Sequence, residues 1–187
     1  MISRAIFELH YLLGSPRWDT GISPPELIAH LDHRHAGQAI DLGCGTGTNL
    51  IAIASRGWDV TGIDVSYLAI RQAKHKTKAA GVSVNLQRGD VSRLDGITGP
   101  FDLALDIGCF HNLDEDKRVE YQNSISRVVH PGGSYLLYSW LTNTEDGIPA
   151  EDEILKTFSP GFDLTTTQHG TDRSRNSAWF TFTRKSV

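Results

Sequence analysis

Apolar residues recur every three or four positions in several stretches of the chain, which is the spacing that places side chains on one face of a helix. The first such stretch carries Leu9 and Leu13. A second begins after Ser23, a capping residue that is followed by Pro24 and, three positions on, by Glu26. Further helices are predicted at residues 48–56, 67–80, 115–129 and 151–158.

Short apolar or alternating runs, typical of β-strands, separate these helices. They lie at residues 38–42, 58–63, 82–87, 101–105, 134–141, 162–169 and 178–183. The run at 134–141 is apolar along both faces, which predicts a central strand, and HPGG at 130–133 is predicted to end the helix before it. We therefore predict an α/β fold: one doubly wound, Rossmann-like domain with a mostly parallel seven-stranded sheet and a C-terminal antiparallel hairpin.

Composition narrows the class of protein. With 187 residues and 39% hydrophobic content, the chain can bury one core. A net charge of −4 gives no overall attraction to nucleic acid or to an anionic membrane. Cys44 and Cys109 form neither a disulfide framework nor a metal-ligand spacing, and charged residues interrupt the first 13 positions. We expect a cytoplasmic protein without a metal, nucleic-acid or membrane site.

A glycine-rich turn between the first core strand and its helix is the most informative local feature. It reads AIDLGCGTGT at residues 39–48, and its glycines are Gly43, Gly45 and Gly47. A dinucleotide site needs its third glycine one place later, where this chain has Thr48. Asp41 would repel a pyrophosphate but attract a cation. The pattern favours a ligand with ammonium and sulfonium groups.

Each of the first four core strands ends close to an acidic residue. These residues are Asp41, Asp64, Asp90 and Asp106. Ligands of parallel sheets bind beyond the carboxyl ends of the strands, so a cationic ligand rich in hydroxyls would relieve the repulsion among the four carboxylates. Asp64 follows Gly43 by about twenty residues, the spacing of a carboxylate that accepts both ribose hydroxyls. Asp90 is a candidate acceptor for the adenine amine, and Asp41 or Asp106 for the methionine end.

Five motifs of the chain resemble, in order and spacing, those of class I S-adenosylmethionine-dependent methyltransferases. They are DLGCGTG at 41–47, Asp64, GD at 89–90, FDLALD at 101–106 and RVVHPGG at 127–133. Residues 18–21 and 109–117 are similar to the small bacterial branch related to thiopurine, thiol and tellurite methyltransferases. The branch that methylates bases or glutamine carries Asn/Asp-Pro-Pro-aromatic after the fourth strand, whereas residues 106–109 here read DIGC.

The resemblance implies S-adenosyl-L-methionine as cofactor and S-adenosyl-L-homocysteine as product. It implies that the glycines approach the cofactor, that Asp64 holds the ribose, that Asp90 and Val91 frame the adenine, and that Asp106 and Ile107 lie beside the methionine. The complete predicted cofactor set is Trp18, Asp41, Gly43, Cys44, Gly45, Gly47, Asp64, Val65, Asp90, Val91, Asp106 and Ile107.

Two residues are candidates for a catalytic role, His111 and Asp106. His111 lies just past the fourth strand, where an acceptor would arrive, and the usual pKa of histidine suits a general base. Alternatively it is a rim histidine that hydrogen-bonds the backbone. Asp106 has the alternative of capping the following turn, Trp18 that of packing its own loop, and Cys44 that of a small buried hydrophobe.

The sequence thus predicts a methyltransferase for a small molecule, acting by in-line displacement on a thiol, chalcogen, oxygen or nitrogen nucleophile. Residues 1–36 would form N-terminal helices and a lid, residues 37–141 the cofactor-binding core, and residues 142–187 an acceptor-side loop, a short helix and the hairpin. A non-catalytic S-adenosylmethionine-binding module remains an alternative, and a nicotinamide oxidoreductase is disfavoured by Asp41 and the glycine spacing. The protein would be a monomer or homodimer.

Overall fold

The computed structural model describes residues 4–14, 16, 18–142 and 147–186. Two compact units make up the chain, residues 2–91 and residues 92–187. Part of the predicted acceptor-side loop, residues 143–146, lies outside the described residues.

The first unit is a three-stranded parallel sheet with helices. Its elements are α1 (Arg4–Leu12), α2 (Pro25–Asp32), β1 (Gln38–Leu42), α3 (Thr48–Ala54), β2 (Asp59–Asp64), α4 (Tyr67–Ala79) and β3 (Asn85–Arg88). β2 lies between β1 and β3. A Cβ at Gly62 would come within 2.7 Å of Leu50 Cδ1, so glycine at this position allows α3 to pack closely on β2.

The second unit is a four-stranded mixed sheet in the order β4, β5, β7, β6. Its elements are β4 (Phe101–Ile107), a 3-10 helix (Phe110–Asn112), α5 (Glu115–Val128), β5 (Val129–Trp140), α6 (Glu151–Phe158), β6 (Phe162–Asp172) and β7 (Arg175–Arg184). β4 and β5 are parallel, and β6 and β7 form the predicted antiparallel hairpin. β5 has a neighbour on each side, as its apolar sequence predicted.

Several local predictions are confirmed and others are wrong. Ser66 and Asp114 cap α4 and α5, accepting backbone N–H bonds three residues on. Ser23 does not cap α2, because Pro24 occupies that position without a side-chain hydrogen bond. The HPGG segment does not separate α5 from the next strand, since β5 begins at Val129 and runs through it.

Each unit has its own apolar core. In the first unit, residues of β1, β2 and α3 are fully buried: Ala39, Ile40, Leu50, Ile53, Val60 and Ile63. The core of the second unit is largely aromatic, with rings in contact across α5, α6 and the sheet: Phe110, Tyr121, Tyr135, Phe158, Phe162, Phe180 and Phe182. Among the described helices, none is long and apolar enough to cross a membrane.

Candidate functional site

The glycine turn of the first unit requires its three glycines. Gly43, Gly45 and Gly47 have φ of +71°, +52° and +90°, a region that other residues rarely adopt. A Cβ at Gly45 would lie 3.1 Å from the Tyr11 hydroxyl, and one at Gly47 would lie 3.2 Å from Ala73. The turn therefore has no room for a side chain at Gly45 or Gly47.

Asp64, at the end of β2, holds this turn in place. Its side chain is buried, and its two carboxylate oxygens accept hydrogen bonds from the N–H groups of Gly45 (2.9 Å) and Ser66 (2.8 Å). Burial raises the pKa of Asp64, while these two hydrogen bonds oppose the rise. Each carboxylate oxygen has a second lone pair, so the group retains acceptor capacity for a ligand.

The other predicted acids of the first unit end neighbouring strands. Asp41 lies in β1 beside β2, with 1% of its surface exposed. Asp90 follows β3, where the Gly89 N–H donates to the Asp64 carbonyl at 3.0 Å. Asp90, Val91 and Val65 are all partly exposed. The parallel register thus brings the ends of β1, β2 and β3 to one edge of this sheet.

Cys44 packs against β2, where its backbone N–H donates to the Ile63 carbonyl at 3.0 Å. The side chain is buried beside β2, where a Cβ at Gly62 would lie 2.9 Å from the sulfur. Burial, reinforced by Asp41 and Asp64, raises the pKa of the thiol well above its usual value. The thiol therefore stays protonated and packs as a small apolar group.

The N-terminal segment contacts the glycine turn through residues that the sequence reasoning did not identify. Among the residues of α1 whose side chains the structure describes, residues 8–12, Tyr11 is buried. Leu9 and Leu13, of the predicted apolar face, are 51% and 77% exposed. The Trp18 indole N–H donates to the Tyr11 hydroxyl at 3.2 Å, and the ring of Trp18 is 43% exposed. Tyr11 therefore lies between Trp18 and Gly45.

Two carboxylates of the N-terminal segment, those of Asp19 and Glu8, hold it against the glycine turn and α4. Asp19 accepts a hydrogen bond from the Thr46 hydroxyl at 2.7 Å and pairs with Lys76 at 3.4 Å. Glu8 accepts bonds from the Ser66 hydroxyl (2.9 Å) and the N–H of Tyr67 (2.7 Å), at the start of α4. Asp19 directly follows Trp18 in the predicted motif, which could have marked it. No local pattern distinguishes Glu8.

In the second unit, Asp106 organises the turn after β4. Its carboxylate is fully buried and accepts hydrogen bonds from the N–H groups of Cys109 (2.6 Å) and Phe110 (3.1 Å) and from the Tyr121 hydroxyl. Burial raises the pKa of Asp106 to about 6. This geometry favours the turn-capping alternative for Asp106, whereas Ile107, 36% exposed, is accessible at the strand end.

His111 hydrogen-bonds the backbone, as its second interpretation held. Its Nδ1 accepts from the Trp140 N–H at 3.0 Å, and the imidazole stacks on the Trp140 indole with centroids 4.8 Å apart. Burial and the nearby Arg118 and Arg175 lower the pKa of His111 to about 4. A ring with this low pKa, and with Nδ1 already occupied, does not have the properties of the predicted general base.

Arg118 is a buried cation that sequence reasoning also missed. Its guanidinium donates to Glu153 at 2.7 Å and to the Gly147 carbonyl, and it lies 5.5 Å from the Phe110 ring centroid. Arg118 thereby fixes the start of α6 on α5. Within the described ranges, no group of three or more His, Cys, Asp or Glu side chains could hold a metal ion.

Comparison with known proteins adds to this geometry. A family described as methyltransferase domain matches residues 39–133. An uncharacterized methyltransferase of Schizosaccharomyces pombe is 39% identical over 98 residues, which are 52% of this chain and 68% of that protein. The 2-heptyl-1-hydroxyquinolin-4(1H)-one methyltransferase of Mycobacteroides abscessus is 30% identical over 128 residues, 67% of this chain and 56% of that protein.

A solved structure has the same fold over nearly the whole chain. The 1,6-didemethyltoxoflavin-N1-methyltransferase of Burkholderia thailandensis, solved with 1,6-didemethyltoxoflavin and S-adenosylhomocysteine, has a TM-score of 0.81 at 20% identity. The alignment covers 98% of this chain and 87% of that one. The α/β, Rossmann-like fold with its C-terminal antiparallel hairpin is thus confirmed.

Proposed function

We propose that this chain, a member of the methyltransferase domain family and an S-adenosylmethionine-dependent methyltransferase, methylates a small molecule. The acceptor carries a sulfur, chalcogen, oxygen or nitrogen nucleophile, and the methyl group passes to it by in-line displacement. Family membership favours this activity over the non-catalytic S-adenosylmethionine-binding module, the alternative that the sequence left open, and over the nicotinamide oxidoreductase, which the sequence already disfavoured.

The observation that supports the cofactor assignment is the hydrogen bond from the Gly45 N–H, in the glycine turn, to the Asp64 carboxylate. A Cβ would crowd Tyr11 at Gly45 and Ala73 at Gly47, so these two positions accommodate only glycine. The buried Asp64 carboxylate lies directly beside the turn. These features fit an adenosine ribose and a cationic methionine group, and when bound, S-adenosylmethionine supplies the methyl group. Asp41, Asp90, Val65 and Val91 remain proposed contacts.

In this proposal the residues of the chain bind the cofactor and the acceptor, orient them towards each other and exclude water from the site. Methyl transfer from a sulfonium needs alignment of the nucleophile, the methyl carbon and the sulfur, and such positioning supplies on the order of 7–11 kcal/mol in favourable intramolecular reactions. We propose that Tyr11 and Trp18 cover the glycine turn, because Trp18 donates to the Tyr11 hydroxyl that lies over Gly45. We propose that Ile107 and His111, which follow one another closely at the end of β4, lie beside the bound acceptor.

Cofactor binding to Gly45→Ala tests the assignment of the glycine turn. We expect the affinity for S-adenosylhomocysteine, measured by calorimetry, to fall at least tenfold, because the new Cβ crowds the Tyr11 hydroxyl. The matched control is Gly81→Ala, since Gly81 also has a positive φ (+69°) but no atom within 4 Å of its Cβ position. Equal affinities for Gly45→Ala and the control would contradict the assignment.

A further inference from the structure

The two ring nitrogens of His111 have different partners. Nδ1 accepts a hydrogen bond from the backbone N–H of Trp140 at 3.0 Å, and the two rings are nearly parallel, with an interplanar angle of 10°. A backbone N–H can only donate, so Nδ1 is the unprotonated nitrogen. The proton of the neutral imidazole is therefore on Nε2.

The surroundings of His111 keep this ring neutral. The side chain is 8% exposed, and the charged groups that act on it are Arg118, Arg175 and Asp172. Burial and the two guanidinium groups disfavour a second proton, and the single carboxylate does not compensate for them. At physiological pH the ring consequently has no positive charge, and its one donor is Nε2–H.

Nε2 is available to a ligand. Among the described residues, Nε2 has no hydrogen-bond partner, and the atom is not fully buried, so it retains contact with solvent. Gly108 leaves space beside this edge of the ring, because a Cβ there would lie 3.1 Å from Cε1 and 3.5 Å from Nε2. The ring is thus fixed on one side by Trp140 and open on the other.

We propose that His111 donates Nε2–H to the nucleophilic atom of the acceptor, and that the acceptor arrives already ionised, as a thiolate or an acidic hydroxyl. A neutral ring with Nε2 protonated cannot take the acceptor's proton at that nitrogen, whereas it can stabilise an anion. Arg118 and Arg175 favour the same negative charge. The inference rests on the proposed methyl transfer to a small molecule.

The step balances without a protein base. The acceptor loses its proton to solvent before it binds. Its lone pair then forms the new bond to the methyl carbon, while the carbon–sulfur bond of the sulfonium breaks and its electron pair stays on the sulfur. The anion and the sulfonium both become neutral, and no proton moves during transfer.

Two substitutions of His111 distinguish the role of Nδ1 as an acceptor from the role of Nε2–H as a donor. His111→Asn retains an oxygen that can accept from the Trp140 N–H and removes the donor at Nε2, whereas His111→Gln places an amide N–H near the position of Nε2. Suitable probes are 4-nitrothiophenol, 2-mercaptoethanol and 2-heptyl-1-hydroxyquinolin-4(1H)-one, because their acidities differ. Production of S-adenosylhomocysteine is measured as kcat/KM against pH.

For each accepted probe, we expect kcat/KM to rise with pH and to level off at the probe's own pKa. His111→Asn lowers the plateau about tenfold or more without moving that pKa, and His111→Gln recovers most of the loss. Equal plateaus for the wild type and His111→Asn would overturn the inference. For the weakly acidic probe, kcat/KM could instead follow an ionisation of the enzyme that disappears in His111→Asn. That result would also overturn the inference, because it would identify His111 as a base.

Nitrogen-15 NMR of the histidine rings gives a readout that does not depend on turnover. We expect His111 to show a protonated Nε2 and an unprotonated Nδ1 at neutral pH, and the opposite tautomer would overturn the inference. Failure of the wild-type protein to methylate any acceptor would overturn the proposed function itself, whereas methyl transfer with a base signature would overturn only the role of His111.

Discussion

Replacing Asp64 with alanine separates two roles of its carboxylate, in the fold and in cofactor binding. The carboxylate accepts two backbone N–H bonds, at 2.9 and 2.8 Å. Hydrogen bonds to charged groups contribute about 1.5–3 kcal/mol each, and the substitution also relieves the cost of burying the charge. We therefore expect Asp64→Ala to lower the free energy of unfolding by about 1–3 kcal/mol, measured by urea denaturation.

The role of Asp64 in cofactor binding is tested by a thermodynamic cycle. The cycle combines Asp64→Ala with removal of the ribose 2′-hydroxyl from the ligand. If Asp64 accepts a ribose hydroxyl, wild-type protein should bind S-adenosylhomocysteine about tenfold or more tightly than its 2′-deoxyribose analogue. Asp64→Ala should bind the two ligands equally. Asp59→Ala is the control, because Asp59 is exposed at the opposite end of β2. The same preference for the ribose in Asp64→Ala as in the wild type would refute the assignment.

Three further predictions concern stability, measured by urea denaturation. Gly62→Ala should lower the free energy of unfolding by about 1–3 kcal/mol, because the new Cβ crowds Leu50. Its control is Gly170→Ala, where the nearest atom is 3.8 Å from the Cβ position and the change should be less than about 0.5 kcal/mol. Arg118→Met should lower the free energy of unfolding by about 2–3 kcal/mol, because it leaves Glu153 without its buried partner. Arg56→Met, in an exposed pair, should lower it by less than about 1 kcal/mol, and equal losses for the two variants would contradict this reasoning. The pKa of His111 is lowered to about 4, so its contribution to stability is complete above pH 6.5 and is lost as the pH falls towards 4. The loss, roughly 3 kcal/mol, should be missing in His111→Asn, and an unchanged pH dependence would count against a buried neutral ring.

The core strands and the glycine turn could be predicted because local chemistry determines them. Three glycines at alternate positions mark backbone with positive φ, and an acid at the end of a strand is visible in the sequence itself. The caps at Ser66 and Asp114 depend only on neighbouring residues, and both are confirmed. Ser23 failed as a cap because the helix begins one residue later than the pattern indicated.

Contacts between distant segments could not be predicted in this way. Helical periodicity placed Leu9 and Leu13 on the apolar face of the first helix, but both are exposed, and among residues 8–12 it is Tyr11 that is buried. Glu8 meets α4 almost sixty residues along the chain. For His111, the usual pKa suggested a base, and only the N–H of Trp140 decides which ring nitrogen carries the proton.

Methyl transfer itself is the most direct test of the account. The protein is incubated with methyl-labelled S-adenosylmethionine and a panel of thiols, phenols, N-hydroxy heteroaromatics, amines and chalcogen oxyanions, and both products are quantified. We predict S-adenosylhomocysteine and a labelled, methylated acceptor in equal amounts for at least one acidic thiol or hydroxyl compound. Tight binding of S-adenosylhomocysteine without labelled product from any acceptor would contradict the account.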